Sequence, residues 1–261
     1  MESRKRLITF GCSHTWGDAL SKEQNSAYPK RRGLPPHPQS WPYLLGEMLG
    51  RETINLSYPG ESNKGISHKM FNFEFKEDDI VIPLWTHIGR HCIIDKLQSY
   101  DNTNYTRVNS WYVDLDESTD RYYKEYHTID DELYQTICFI QSINSMIQPK
   151  VERIVNGFAC TQVLKLIQKY STNVPIYTIP FFEGYSKWGI AYDGLHIGEE
   201  GHNKFAMDLY TYLTQEPLNN NKIIKYFLNE RLCKDNRSNI MTINKTILCL
   251  SKCKNKLHIT C

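Results

Sequence analysis

Apolar positions in this chain follow two rhythms. Short unbroken runs, Leu7-Ile8-Thr9-Phe10, Thr53-Ile54-Asn55-Leu56-Ser57 and Asp79-Ile80-Val81-Ile82-Pro83-Leu84, stop at glycine, proline or polar residues, as buried strands do. Residues 151–155 and Pro175-Ile176-Tyr177-Thr178-Ile179 have the same character. Between these runs the spacing turns helical. Ser40 stands at an N-cap position, and Leu44, Leu45, Met48 and Leu49 form a stripe closed by Gly50. Residues 129 to about 148 carry Leu133, Ile137, Ile140 and Ile147, and helices are also predicted over 161–170 and 199–213. Strands alternating with helices predict the α/β class, a three-layer α/β/α sandwich around a central parallel sheet of flavodoxin-like type. In such sheets chemistry gathers beyond the carboxyl ends of the strands.

Two stretches break the rhythm. Residues 98–128 hold Tyr100, Tyr105, Trp111, Tyr112, Tyr122, Tyr123 and Tyr126 among many charges and read as an inserted lobe or lid. Beyond residue 215 the composition becomes rich in Asn, Lys and Ile. From Glu216 onward, nine lysines and arginines face three acidic residues. The expected organisation is an α/β domain over 1–214 with the insertion near 98–128, and a basic, partly disordered extension over 215–261. Across all 261 residues the formal charge is only +2, so no global basic field argues for nucleic acid. No apolar run approaches the ~20 residues of a membrane span, and no secretory h-region follows the basic start. These features predict a cytoplasmic protein with reduced cysteines. They give no oligomeric state.

Four segments carry candidate chemistry: Gly11-Cys12-Ser13-His14-Thr15-Trp16-Gly17, Asn55 to Asn63, Leu84-Trp85-Thr86-His87, and Asp193-Gly194-Leu195-His196. Each lies at the predicted carboxyl end of a strand or just before the last helix. A serine hydroxyl is a weak nucleophile that needs a base. Ser13 follows a strand, His196 is a candidate base, and Asp193 three residues earlier is placed to bind the other imidazole nitrogen and set its tautomer. Backbone N–H groups at Ser13 and Gly60 would face the developing oxyanion. Taken singly each piece is an ordinary turn or cap, and the force lies in their chain order.

Together these blocks resemble the SGNH hydrolase superfamily, the GDSL esterases and lipases, over residues 7–213 with the insertion unmatched. The resemblance is densest in Ser40-Trp41-Pro42-Tyr43-Leu44-Leu45, in Asn55, Pro59-Gly60 and Ser62-Asn63, and in the Asp193/His196 pair. It implies Ser13 as nucleophile, Gly60 as an oxyanion donor, and Asp193 with His196 completing a triad. Two positions depart from the family pattern. Cys12 occupies the middle of the usual Gly-Asp-Ser, and the third block, normally Gly-x-Asn-Asp, has His87 where the oxyanion asparagine belongs, with Thr86 or Asn63 as other donors.

Rival readings are weaker. An α/β-hydrolase elbow wants glycine where Thr15 stands, and a Cys12 nucleophile would point opposite to Ser13. His14, His87, Asp193, His196 and His202 show no zinc-ligand spacing, and Cys249, Cys253, His258 and Cys261 miss that of a zinc knuckle. No metal and no cofactor is expected. Trp16, Trp85 and Trp188 are expected to line the cleft. The predicted function is a serine esterase acting on short acyl esters, with O-acetyl groups of a glycan as a first trial and no membrane or nucleic-acid partner. The alternatives are a non-catalytic glycan-binding or structural module of the same fold and an acyltransferase using the same triad.

Overall fold

The structure, a computed structural model, describes residues 4–22, 34–94, 105–109, 117–160, 163 and 182–214. Its sheet is built on β1 (Arg6–Phe10), which pairs in parallel with β2 (Glu52–Asn55) on one side and β3 (Ile80–Trp85) on the other. Two short strands after the long helix, β6 (Arg153–Ile154) and β7 (Gly157–Phe158), also pair in parallel with β3. The strand order is β2-β1-β3-β6. The chain winds one way from β1 to β2 and the other way to β3, so the switch point lies between β1 and β3. A crevice opens at the carboxyl ends of such a strand pair.

Side-chain alternation along β1 and β3 divides the core into two layers. Leu7, Ile80, Ile82 and Leu84 pack with Trp41 and Leu45 of α2 (Trp41–Leu49) and with Phe205, Ala206 and Leu209 of the closing helix Glu199–Thr214. Ile8, Phe10, Val81 and Trp85 face the other way, onto Ile66 and Met70 of α3 (Asn63–Phe71) and Ile140, Ile143 and Ile147 of α5 (Ile129–Ile147). The α/β/α sandwich expected from the sequence is the one observed. At the amino end of the strands, Arg6 grips the buried Asp79 through two hydrogen bonds of 2.8 and 2.6 Å.

Ser40 begins α2 in extended geometry but makes no side-chain cap bond, and Gly50 ends the helix in the left-handed region. The Trp41 amide instead donates to Nδ1 of His202, 3.0 Å away and buried on the closing helix, here α6. Burial pushes His202 down to about 3, so it is a neutral acceptor tying two helices together, and its role is structural. His202→Ala should leave that buried N–H unpaired and lower stability by about 1–3 kcal/mol, which urea unfolding would measure.

The structure departs from the sequence pattern in three places. α3 stands where a loop was expected: Asn63-Lys64-Gly65-Ile66-Ser67-His68-Lys69 is too polar to show a helical stripe, yet Ser62 caps it by accepting from the Gly65 amide at 3.0 Å. The 151–155 strand is instead two two-residue pieces. The irregular region begins before the expected insertion at 98–128: β4 (Arg90–Ile94) pairs antiparallel with β5 (Tyr105–Asn109), and α4 (Glu117–Arg121) and a π-helical turn at Tyr122–Tyr126 lie within the expected bounds. The helix predicted at 161–170, the strand at 175–179 and the extension at 215–261 lie outside the described residues, Val163 excepted. By its internal contacts the chain divides into Met1–Glu216 and Pro217–Cys261. Among the described residues no helix is long and apolar enough to cross a membrane.

Candidate active site

At the carboxyl end of β1 the chain turns through Gly11 and Cys12 into a single helical turn, α1 (Ser13–Trp16). Gly11 is required by close approach, since a Cβ there would lie 2.1 Å from Thr15 Oγ1. Ser13 is the first residue of α1, and the amides of a first helical turn have no intrahelical acceptor. Its side chain is nearly enclosed, with 4% exposure. After α1 the backbone enters the left-handed region at Gly17 (φ 80°) and again at Ala19 (φ 61°). For a residue with a Cβ that conformation is strained.

The strained carbonyl of Ala19 accepts from the Tyr192 amide at 3.1 Å. This joins the loop after β1 to the loop carrying Asp193 and His196. The latter is a tight hairpin: Ile190 bridges Ile197, the Ala191 amide donates to the His196 carbonyl at 2.9 Å, and Gly194 turns with φ 69°. Asp193 Oδ1 accepts from the Leu195 and His196 amides, each at 2.9 Å, and Oδ2 lies 2.5 Å from His196 Nδ1. The two loops meet at their histidines. The rings of His14 and His196 have centroids 5.3 Å apart, and those of His14 and His87 are 6.4 Å apart.

The pair Asp193–His196 therefore has the expected local geometry, and His14, the neighbour of Ser13, stands against His196. Asp18 was not anticipated. It is buried, and its Oδ2 lies 4.0 Å from His196 Nε2, leaving a carboxylate on each side of the imidazole. Only its position in the turn after the serine block signalled it. The second block also reaches the site, because the Tyr58 amide donates to the Gly11 carbonyl at 3.1 Å. Gly60 follows in the left-handed region, with φ 77°.

Other expected roles meet occupied side chains. Both amide hydrogens of Asn63 are used, on the Thr86 carbonyl at 3.2 Å and on Thr136 Oγ1 at 3.1 Å, while its Oδ1 accepts from the Thr86 amide. Asn63 is thus a pin between α3 and the end of β3, with no hydrogen left for an oxyanion. The Thr86 hydroxyl is fully buried and accepts from Arg90 at 2.8 Å. Trp85 is fully buried and donates to Asn156 Oδ1 at 2.9 Å, and Trp16 is also buried. The expectation that these two indoles line a cleft is corrected by their packing into the interior. Trp188 is half-buried against the α2–α6 layer, with Lys187 Nζ 5.8 Å from its ring centroid. Among the described residues no cluster of His, Cys, Asp and Glu has the geometry to hold a metal.

Desolvation sets the charges of the imidazoles. It holds His14 well below its ordinary value, assisted by the neighbouring His196 and His87. It lowers His87 to about 3, with Arg90 adding to the effect. For Asp193 burial acts upward, but the backbone and side-chain hydrogen bonds from His196 and the Leu195 amide outweigh it, and the carboxyl sits below its usual range. His14, His87 and His202 are neutral when folded but bind protons near pH 6.5 when unfolded. Between their lowered values and that pH the unfolded chain holds more protons, so stability rises with pH there. The urea midpoint should accordingly fall as pH drops from 7 to 5, and a midpoint that is flat over this window would contradict the assignment. Asp193 adds a contribution that is present above the ordinary carboxylate range and lost as pH falls through its depressed value.

No protein-family model matches the chain, and no curated protein matches it. Similar solved structures include a member of the lipolytic protein G-D-S-L family from Veillonella parvula, which is 11% identical with a TM-score of 0.44, the match covering 82% of this chain and 99% of that one.

 

An acetyl xylan esterase from the rumen bacterium Butyrivibrio proteoclasticus is 12% identical with a TM-score of 0.49, the match covering 82% of this chain and 64% of that one. Phospholipase A1 from Streptomyces albidoflavus is 9% identical with a TM-score of 0.44, the match covering 82% of this chain and all of that one.

Proposed function

We propose that the chain is a serine ester hydrolase acting on short acyl esters, with Ser13, His196 and Asp193 as its triad. The observation that carries this reading is the meeting of the two loops: the residue after Ser13 lies against His196, whose Nδ1 is held by Asp193. In the proposed reaction Ser13 Oγ attacks the ester carbonyl carbon while His196 Nε2 takes the hydroxyl proton. The tetrahedral oxyanion is held by the Ser13 and Gly60 amides. Asp193 at Nδ1 offers negative charge to the imidazole as it becomes an imidazolium, and the Asp18 carboxyl lies 4.0 Å from Nε2 on the other side. Collapse breaks the bond to the alkoxide, which leaves with the proton from His196. Water then attacks the acyl-enzyme by the same proton route, releasing the acid and restoring Ser13.

His87 is the proposed third oxyanion donor. Held near 3, it is uncharged throughout the working range and offers a neutral N–H. A glycan O-acetyl ester is the first substrate to try. The experiment is hydrolysis of p-nitrophenyl acetate together with fluorophosphonate labelling. Turnover with label on Ser13 supports the reading, and folded protein that neither turns over nor labels rejects it. A non-catalytic glycan-binding module is the second reading, favoured by the occupied amide of Asn63. It predicts that Ser13→Ala and His196→Ala leave glycan binding intact while Trp188→Ala removes it.

A further inference from the structure

A buried ion pair stands directly behind the Gly60 turn, and the mechanism above does not use it. Glu61 is fully enclosed, Lys69 has 2% exposure, and Lys69 Nζ lies 2.9 Å from Glu61 Oε2. Two charges withdrawn from water are expensive, and an apolar pair of similar volume is often as stable or more so. The other bonds of the pair indicate what it does here. Lys69, on α3, also donates to the Leu56 carbonyl at 2.9 Å, and Glu61 Oε1 accepts from the Ser62 amide at 3.1 Å. One ammonium therefore ties the residue that enters the loop to the residue that leaves its turn.

The turn between them has a specific form. The Glu61 amide donates to the Tyr58 carbonyl at 3.2 Å, Pro59 is second, and Gly60 is third with φ 77°. That positive φ after proline marks a type II turn. Turning the Pro59–Gly60 peptide over would convert it towards type I and reverse the direction of the Gly60 N–H. Tyr58 is anchored to β1 through the Gly11 carbonyl, whereas Glu61 is anchored to α3 through Lys69.

We propose that the Glu61–Lys69 pair positions the Gly60 amide, holding the Tyr58–Glu61 turn in the form that presents its N–H to the oxyanion. The proposal rests on the esterase reading above. Both are positioning residues: neither touches the reacting atoms. A purely structural pair would affect turnover only through the folded fraction, whereas this role lowers kcat in folded protein.

The test compares wild type, Glu61→Leu/Lys69→Met and Lys69→Arg for kcat and KM on p-nitrophenyl acetate, with thermal unfolding of each. The double variant is expected to fold, to lose about 10–100-fold in kcat through the displaced donor, and to keep KM within about twofold, because ground-state contacts are unchanged. Lys69→Arg retains the cation and should restore most of the turnover. Wild-type kcat in the folded double variant overturns the proposal while leaving the esterase reading intact. So does a loss that tracks the unfolded fraction. If the double variant does not fold, Lys69→Met alone is measured on its folded fraction against the same two outcomes. A wild type without turnover or Ser13 label overturns the esterase reading and this role with it.

Discussion

Ser13→Ala is expected to lower kcat for p-nitrophenyl acetate by up to about 10⁶-fold, the scale seen when a triad nucleophile is removed. The variant should unfold at the wild-type temperature, because it deletes a single oxygen at a site with 4% exposure. The substitution leaves the His14–His196 contact and the Asp193 bonds in place, so a loss of this size would be chemical and not architectural. Residual turnover would come from the oxyanion amides and substrate binding. A Ser13→Ala protein with wild-type turnover would remove Ser13 from the mechanism.

Asp193→Asn is expected to lower kcat by about 10⁴-fold with the fold intact. The hairpin places the two backbone donors, Leu195 and His196, on Oδ1 and the imidazole on Oδ2. A carboxamide oxygen would keep the backbone pair, which leaves the NH2 group facing Nδ1. The imidazole would then have to accept at Nδ1 and carry its proton on Nε2, where it can no longer take one from Ser13. Steady-state kinetics with an unfolding control measure this, and a kcat within tenfold of wild type would show that the tautomer is not set by Asp193.

The strand runs were legible because burial on both faces of a parallel sheet leaves continuous apolar stretches. Leu7 to Phe10 and Ile80 to Leu84 appear in the structure at their expected places. The Asp193–His196 spacing was legible for a different reason, since one short hairpin delivers both groups. α3 was not legible: Ser67, His68 and Lys69 are polar yet buried, and a polar residue paired inside looks like a surface residue in the sequence. Trp16 and Trp85 misled in the opposite sense, since an indole beside a loop is read as a cleft wall until its packing is known.

Local pattern by itself determined the class of fold, the central strands and the spacing that sets Asp193 against His196, because periodicity and turn chemistry depend on near neighbours. The tertiary structure alone decided that Asn63 spends its amide on Thr86 and Thr136, that Asp18 stands beside His196, and that Lys69 closes on Glu61. Each of these depends on which distant side chain fills the remaining hydrogen-bonding capacity of a buried group. That is settled by how the layers pack, and no spacing along the chain encodes it.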